Sequence, residues 1–376
     1  MQLQAMDHLK NTTLRIPSLK SIIWDQNHAL ALKPLGINVP KKSCLLNVLN
    51  FDQKNLGMGV YCTELDQLYF LSIKQEKLKI RLKFLLKEAT IKSRKIIAQS
   101  IYGYRLCHHQ TDLISGLIIE CYQENLYLIR SDHSAADLLI STIQDILITE
   151  FNAKVILLKN YHSLRQKLNI IMSDSILYGG LSSDSIQILE NNNTYLYHSK
   201  DNNDLYSCYL RTIRSWVKQL IDQNEVHDVL VQGVLAAECF SQTDMIKIKN
   251  QFQVQDVKGK FLDLFELTQI IRRLSKNKNK YNLIILNLAK HKYNKKNKTS
   301  FFHYLYNLLI LLNEKANLLI YVANWREFKS LLKEVCSKAK YSMHLRYKVQ
   351  NEPDFRCLND SSPFQSIHLE LTKNSK

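Results

Sequence analysis

Glycine and proline are scarce in this 376-residue chain, which holds 9 of the first and 5 of the second. Ordinary usage of about 7% and about 5% would supply roughly three times as many. After Gly180 the only glycines are Gly233 and Gly259, and no proline lies between Pro40 and Pro353. Phosphate-cradling loops and the intact dinucleotide fingerprint need several glycines within a few residues, so both are excluded. Collagen-like and Gly/Pro-rich disordered classes are excluded too.

Long apolar runs are also missing. Leu305–Leu312 and Ala316–Ala323 are separated by Asn313, Glu314 and Lys315, and each falls well short of the roughly 20 residues of a membrane span. The leading MQLQAMDHLKNTT has no apolar signal core, so a cytoplasmic protein without a membrane partner is expected. Eight cysteines are present with no C-x-x-C pair, and buried reduced thiols are expected rather than zinc or disulfides. The adjacent His108 and His109 are expected to be surface or partly packed histidines, and no metal is expected.

Acids are the last shortage. Asp and Glu total 34 against 51 Lys and Arg, a formal charge of +17. Genome-level drift toward Lys, Ile and Asn codons would scatter that excess, but here it is clustered. Lys74 to Lys95 holds nine Lys/Arg against Glu76 and Glu88. Arg272 to Lys298 holds ten, with no acid between Glu266 and Glu314. Clustered cations of this kind fit a polyanionic partner, and nucleic acid is the simplest.

Periodicity divides the chain into three parts. Residues 43–73 alternate apolar and polar around Gly57-Met58-Gly59 and read as a small β domain spanning 1–73. From Lys74 the period becomes helical: Leu78, Ile80, Leu82, Leu85, Leu86 and Ala89 share one side, with a stop near Gly103. Strand pairs at 116–129 and 185–197, a helix over 135–151 and a strand at 154–158 make an α+β middle domain over 74–198, with antiparallel strands. From residue 199 helices alternate with apolar strands at 228–232, 252–257, 283–287 and 317–322, which implies a mainly parallel α/β sheet. Trp325, Phe328 and Leu332 recur at helical spacing and read as core rather than a base-stacking platform.

Several strings, in order, resemble one family. Leu56-Gly57-Met58-Gly59-Val60-Tyr61 is similar to a G-x-G-x-Y turn. Tyr104-Arg105-Leu106, Thr111-Asp112-Leu113 and Gly116-Leu117-Ile118-Ile119 are similar to a Y-R-L…D-G-L-P-G-L-I-V string. Leu262 to Lys290 is similar to a helix followed by an F-D-L-I-x-L-D-P-P-K strand and loop, and Glu352-Pro353-Asp354 with Ser366–Leu371 to a closing D-H-P and strand. From about residue 40 onward the chain thus resembles the bacterial large-subunit ribosomal RNA methyltransferases that act on cytosine C5. The resemblance implies a PUA-like N-terminal β domain, a central α+β domain and a Rossmann-like domain over 199–376 that binds S-adenosylmethionine. It implies ribosomal RNA as partner.

Set against that family, four places depart from its pattern. Ala236-Ala237-Glu238 stand where the cofactor turn after Gly233 expects small residues and glycine. Asp256 lies about 20 residues after the turn, as a ribose-binding carboxylate would, but its Asp256-Val257 context is similar to a later adenine-contacting segment, which implies a deleted ribose-binding strand. The D-P-P-K loop reads Asn287-Leu288-Ala289-Lys290, without the prolines that stiffen it around a flipped base. The strand end that should be followed by the attacking cysteine reads Val322-Ala323-Asn324-Trp325, and no cysteine lies between Cys239 and Cys336. Methylation at C5 needs a thiolate to add at C6 first.

Carried over by position, Gly233, Ala236, Asp256 and Asn287 are the cofactor-binding candidates. Asp256 reads equally as a solvated strand-end carboxylate, and Asn287 as an ordinary cap. Arg272, Arg273, Lys290, Lys292, Lys295 and Lys296 are the RNA-binding candidates, against the alternative of a solvated basic loop. No catalytic residue is assigned. The sequence therefore leads to an RNA binder of methyltransferase type with degraded chemistry. An active but diverged methyltransferase and a protein-interaction module are the alternatives.

Overall fold

The structure is a computed structural model and describes residues 12–16, 29–72, 77–97, 103–109, 112–122, 125–160, 163–181, 185–190, 193–198, 210–223, 225–232, 240–241, 250–254, 264–276, 280–288, 295–322, 325–350 and 365–374. The chain divides into two compact units, Met1–Asp184 with Arg356–Asp360, and Ser185–Phe355 with Ser361–Lys376.

The first unit contains two five-stranded sheets. Strands β1 (Thr12–Ile16), β2 (Ala29–Ala31), β3 (Cys44–Asn50), β4 (Asn55–Cys62) and β5 (Gln67–Ser72) are ordered β1-β3-β4-β5-β2. The alternating stretch from residue 43 becomes the antiparallel meander β3-β4-β5. β1 and β2 are too short to show a period, and β1 joins parallel to β3. Gly59 lies inside β4 because a Cβ there would sit 2.8 Å from both Leu68 Cδ1 and Tyr69 O. Only a bare backbone permits that approach.

Next come α1 (Leu78–Ile97), β6 (Gly103–His108), β7 (Leu117–Tyr122), β8 (Leu126–Ser131), α2 (Ser134–Asp137), α3 (Ile140–Phe151), β9 (Val155–Lys159), α4 (Ser163–Lys167) and β10 (Asp174–Tyr178). The second sheet is ordered β10-β9-β8-β7-β6. Two readings change here. The single helix expected over 135–151 is broken at Leu138-Leu139, where Leu139 N–H bonds to Ala136 O in a tighter turn. The β8–β9 pair is parallel, because α2 and α3 cross over between those strands. In α1, Leu82, Leu85, Leu86 and Ala89 enter a core shared with β4, β5 and α3. Ile80, placed on that face by its period, is instead 57% exposed.

The second unit begins with the hairpin β11 (Ser185–Glu190) and β12 (Asn193–His198), then α5 (Arg211–Asp222) and β13 (Asp228–Gln232). It continues with β14 (Asn250–Val254), α6 (Leu264–Lys276), β15 (Tyr281–Asn287), α7 (Lys298–Ile310), β16 (Leu312–Val322), α8 (Trp325–Lys338), β17 (Tyr341–Gln350) and β18 (Gln365–Lys373). Strand order is β14-β13-β15-β16-β18-β17. The first four strands are parallel, and β18 runs antiparallel to both neighbours.

Alternation along the strands decides which helix covers which face. Leu230, Ile284, Leu286, Leu318, Ile320 and Leu369 point into a core built with α6, α7 and α8. Val229, Val231, Leu283, Ile285, Leu319 and Tyr321 point the other way, against Ile213, Val217 and Leu220 of α5. Burial on both faces explains why these strands read as near-continuous apolar runs. Trp325, Phe328 and Leu332 all lie in the first of these cores, as their spacing predicts. β16 starts five residues earlier than the apolar run that marks it, since Asn313, Glu314 and Lys315 are partly exposed strand residues.

Candidate functional site

From β13 the chain moves to β14 on one side and later to β15 on the other, so strand order reverses between β13 and β15. In an open parallel sheet, the crevice outside the carboxyl ends at such a point is where ligands bind. The register places Gln232 beside Leu286, and Asn287 beside Tyr321. Both strand ends are amides: Gln232 is 2% exposed and Asn287 is 8% exposed. Leu288 N–H continues the ladder by donating to Tyr321 O at 2.7 Å. Among the described residues, Gln232 Oε1 has no hydrogen-bond partner. A buried amide oxygen left unpaired costs about 1–3 kcal/mol, so its place at the switch point is informative.

Of the position-matched cofactor residues, the structure places Asn287 at this crevice. Gly233, Ala236 and Asp256 lie outside the described residues. Between β13 and α6 the described residues contain one strand, β14, which is the outermost of the sheet. Gln232 was missed from sequence; its signal is a polar residue closing the apolar run Val229-Leu230-Val231.

The thiol nearest in sequence to the expected nucleophile position is accounted for. Cys336 lies in the last third of α8, 2% exposed, among the side chains that pack against the sheet. Burial pushes its thiol up to about 12. A thiol so desolvated is protonated at neutral pH and inert as a nucleophile.

The candidate RNA-binding residues fall at two ends of one strand. Arg272 and Arg273 are exposed near the carboxyl end of α6, and α6 runs back toward the amino end of β15 before that strand begins. Lys295 and Lys296 follow the carboxyl end of β15 in a short 3-10 turn, with Lys296 exposed. The two groups precede and follow the seven residues of β15 in the chain. Lys290 and Lys292 lie outside the described residues. In the first unit the basic helix α1 is partly neutralised. Lys83 and Lys87 contact Glu150 of α3 at 2.5 and 3.1 Å, and Lys79 contacts Asp145 at 3.8 Å. Part of the cation clustering in the sequence is therefore matched inside the fold.

His109 also proves to be engaged: its Nε2 lies 3.2 Å from Asp132 Oδ2, and burial nevertheless lowers it to about 4. Among the described residues no three or more His, Cys, Asp or Glu are grouped to hold a metal ion, and no helix is long and apolar enough to cross a membrane.

Comparison with solved structures follows the same topology. The chain is similar to SMU.776, described as a methyltransferase and solved with S-adenosylhomocysteine (SAH), at 15% identity and a TM-score of 0.67, covering 96% of this chain and 100% of that one. It is similar to a protein from Streptococcus mutans described as a SAM-dependent methyltransferase, at 15% identity and a TM-score of 0.66, with the same coverage. The chain has the Rossmann-like fold of SAM-dependent methyltransferases. At this identity the likeness is one of fold. No protein-family model and no curated protein matches the sequence.

That fold implies S-adenosylmethionine at the switch point, and the strand ends test it. Gln232 Oε1 fits a hydrogen-bond donor such as a ribose hydroxyl. Neither strand end flanking the crevice is a carboxylate, since β13 closes on Gln232 and β15 on Asn287. These two ends therefore offer amide hydrogen bonds but no countercharge for the sulfonium of the cofactor.

Proposed function

We propose that this protein binds ribosomal RNA through the fold of a large-subunit cytosine-C5 methyltransferase, with a PUA-like N-terminal domain, and has little or no methyl transfer of its own. The observation that carries this reading is Cys336. The sequence has no cysteine where β16 ends, and the thiol that follows is 2% exposed in the core. Covalent activation of cytosine has no first step without a thiolate. The amide strand ends at the crevice, and the altered Asn287-Leu288-Ala289-Lys290 loop, support the same reading. Candidate RNA contacts are Arg272, Arg273, Lys290, Lys292, Lys295 and Lys296.

A second reading is an active, diverged methyltransferase that uses Asp256 for the ribose. The unpaired Gln232 Oε1 favours it, because a buried free acceptor at a switch point is what a bound ligand would satisfy. Calorimetric titration with S-adenosylmethionine separates the two. Micromolar binding, about −8 kcal/mol, would support the active enzyme and sink the first reading; absence of heat at millimolar cofactor supports the first. For RNA, affinity for a ribosomal RNA fragment should fall steeply with salt. No affinity, or none that responds to salt, would sink both readings in favour of a protein-interaction module.

A further inference from the structure

We infer that the outer edge of the second unit, centred on Tyr347, is a stacking platform for an unpaired RNA base; this rests on the RNA-binding reading above. Three aromatic rings meet there. Tyr347 of β17 lies 6.0 Å from Trp216 of α5 at an interplanar angle of 22°, and 5.8 Å from His368 of β18. Trp216 and His368 are 5.7 Å apart. Trp216 and His368 are 8% and 6% exposed, whereas Tyr347 is 50% exposed. His368 is itself fixed by a 2.9 Å hydrogen bond between its Nε2 and Asn317 Oδ1. Tyr347 is therefore an exposed ring held from behind by two buried rings, so stacking on it costs little further ordering.

Charge at this edge fits a phosphate backbone. Arg346 and Lys348 are exposed on the same strand. Glu370 faces both Arg346, whose Nε donates to it at 2.6 Å, and Lys315 at 3.6 Å, so two cations more than match its charge. Among the described residues Lys348 makes no ion pair; it pairs with Ile367 across the ladder and so leaves the edge strand on the face opposite to Tyr347. Cations interleaved with a supported aromatic are the pattern of single-strand binding, where phosphates follow the basic groups and a base stacks. Position also fits. β17 runs parallel to β16, because both are antiparallel to β18, so Tyr347 and Lys348 lie toward the sheet edge that bears the crevice. Three strand intervals separate β17 from β15, about 14 Å, a distance that a few nucleotides span.

The test is fluorescence anisotropy with a labelled single-stranded RNA 12-mer and a fully paired RNA duplex, using the full chain, Tyr347→Ala and Tyr347→Phe. The platform predicts that Tyr347→Ala weakens single-strand binding about 5- to 10-fold, leaves duplex binding unchanged, and that Tyr347→Phe stays within about twofold of the parent. Circular dichroism melts confirm that each variant is folded. If the parent binds RNA and Tyr347→Ala binds the 12-mer equally well, the platform is wrong while the RNA-binding reading stands. If the parent binds neither RNA, both fall. If light scattering instead shows a dimer that Tyr347→Ala dissociates, a second copy covers this edge and the platform is overturned.

Discussion

Arg214, fully buried on α5, donates from Nε and Nη2 to the two carboxylate oxygens of Glu190 at 2.9 and 2.6 Å. The same guanidinium lies 5.3 Å from the Tyr195 ring, and Arg211 approaches Glu190 at 3.7 Å. One carboxylate thus serves two buried arginines and fastens the hairpin β11–β12 to α5. Replacing Glu190 by Gln removes the carboxylate charge that both buried arginines face and should destabilise the second unit by about 3–5 kcal/mol. Urea unfolding measures the loss, and hydrogen exchange should show it first in 185–198. A change below about 1 kcal/mol would contradict the arrangement.

Gly116 has φ +79°, and a Cβ there would lie 2.3 Å from His133 Nε2. The His133 ring cannot retreat freely, since it stacks on Tyr69 at 5.1 Å and its Nδ1 accepts from Ala136 N–H. Gly116→Ala should therefore cost more than the roughly 1 kcal/mol of backbone strain alone. Thermal unfolding checks this, and an unchanged midpoint would show that the loop gives way.

Acid should weaken both units before the carboxylates titrate. Burial lowers His108, His109 and His133 in the first unit and His368 in the second, His109 and His368 to about 4. These rings stay neutral in the fold and take protons when unfolded, so stability is full above about pH 6.5 and falls as pH drops toward 4. Neighbouring Asp132 opposes the shift at His109, and Arg105 and Arg130 reinforce it. Glu64, Glu150 and Glu370 are lowered below the usual glutamate value and lose their contribution only at more acidic pH. Denaturant midpoints at pH 7.5, 6 and 5 should decline; a flat profile above pH 5 would contradict buried neutral histidines.

Cys336 should react with iodoacetamide far more slowly in the native protein than in urea, because its buried thiol is raised to about 12. Mass spectrometry of its peptide reads the ratio. Native alkylation at the rate of an exposed thiol would reopen it as a nucleophile.

Much of the fold was legible because the parallel strands are apolar on both faces and the helices between them carry clear periods. β13 falls on the residues its pattern predicts, Asp228–Gln232, and Trp325, Phe328 and Leu332 of α8 lie in the core as their spacing predicts. What escaped depends on partners distant in sequence. β1 and β17 show little local period and are defined by pairing with β3 and β18. The basic run of α1 looked free because Asp145 and Glu150, which answer it, lie some sixty residues away. At the crevice Asn287 was legible from a motif, whereas Gln232 became visible only when the topology put the end of β13 at the point where strand order reverses.

RNA binding and methyl transfer can be read in one assay. The protein is incubated with methyl-labelled S-adenosylmethionine and unmodified large-subunit ribosomal RNA, and bound RNA and incorporated methyl groups are counted in the same samples. RNA should be retained on the protein at low salt and released at high salt, with methyl incorporation no greater than in the protein-free control. Incorporation approaching one methyl group per RNA would contradict RNA binding without methyl transfer.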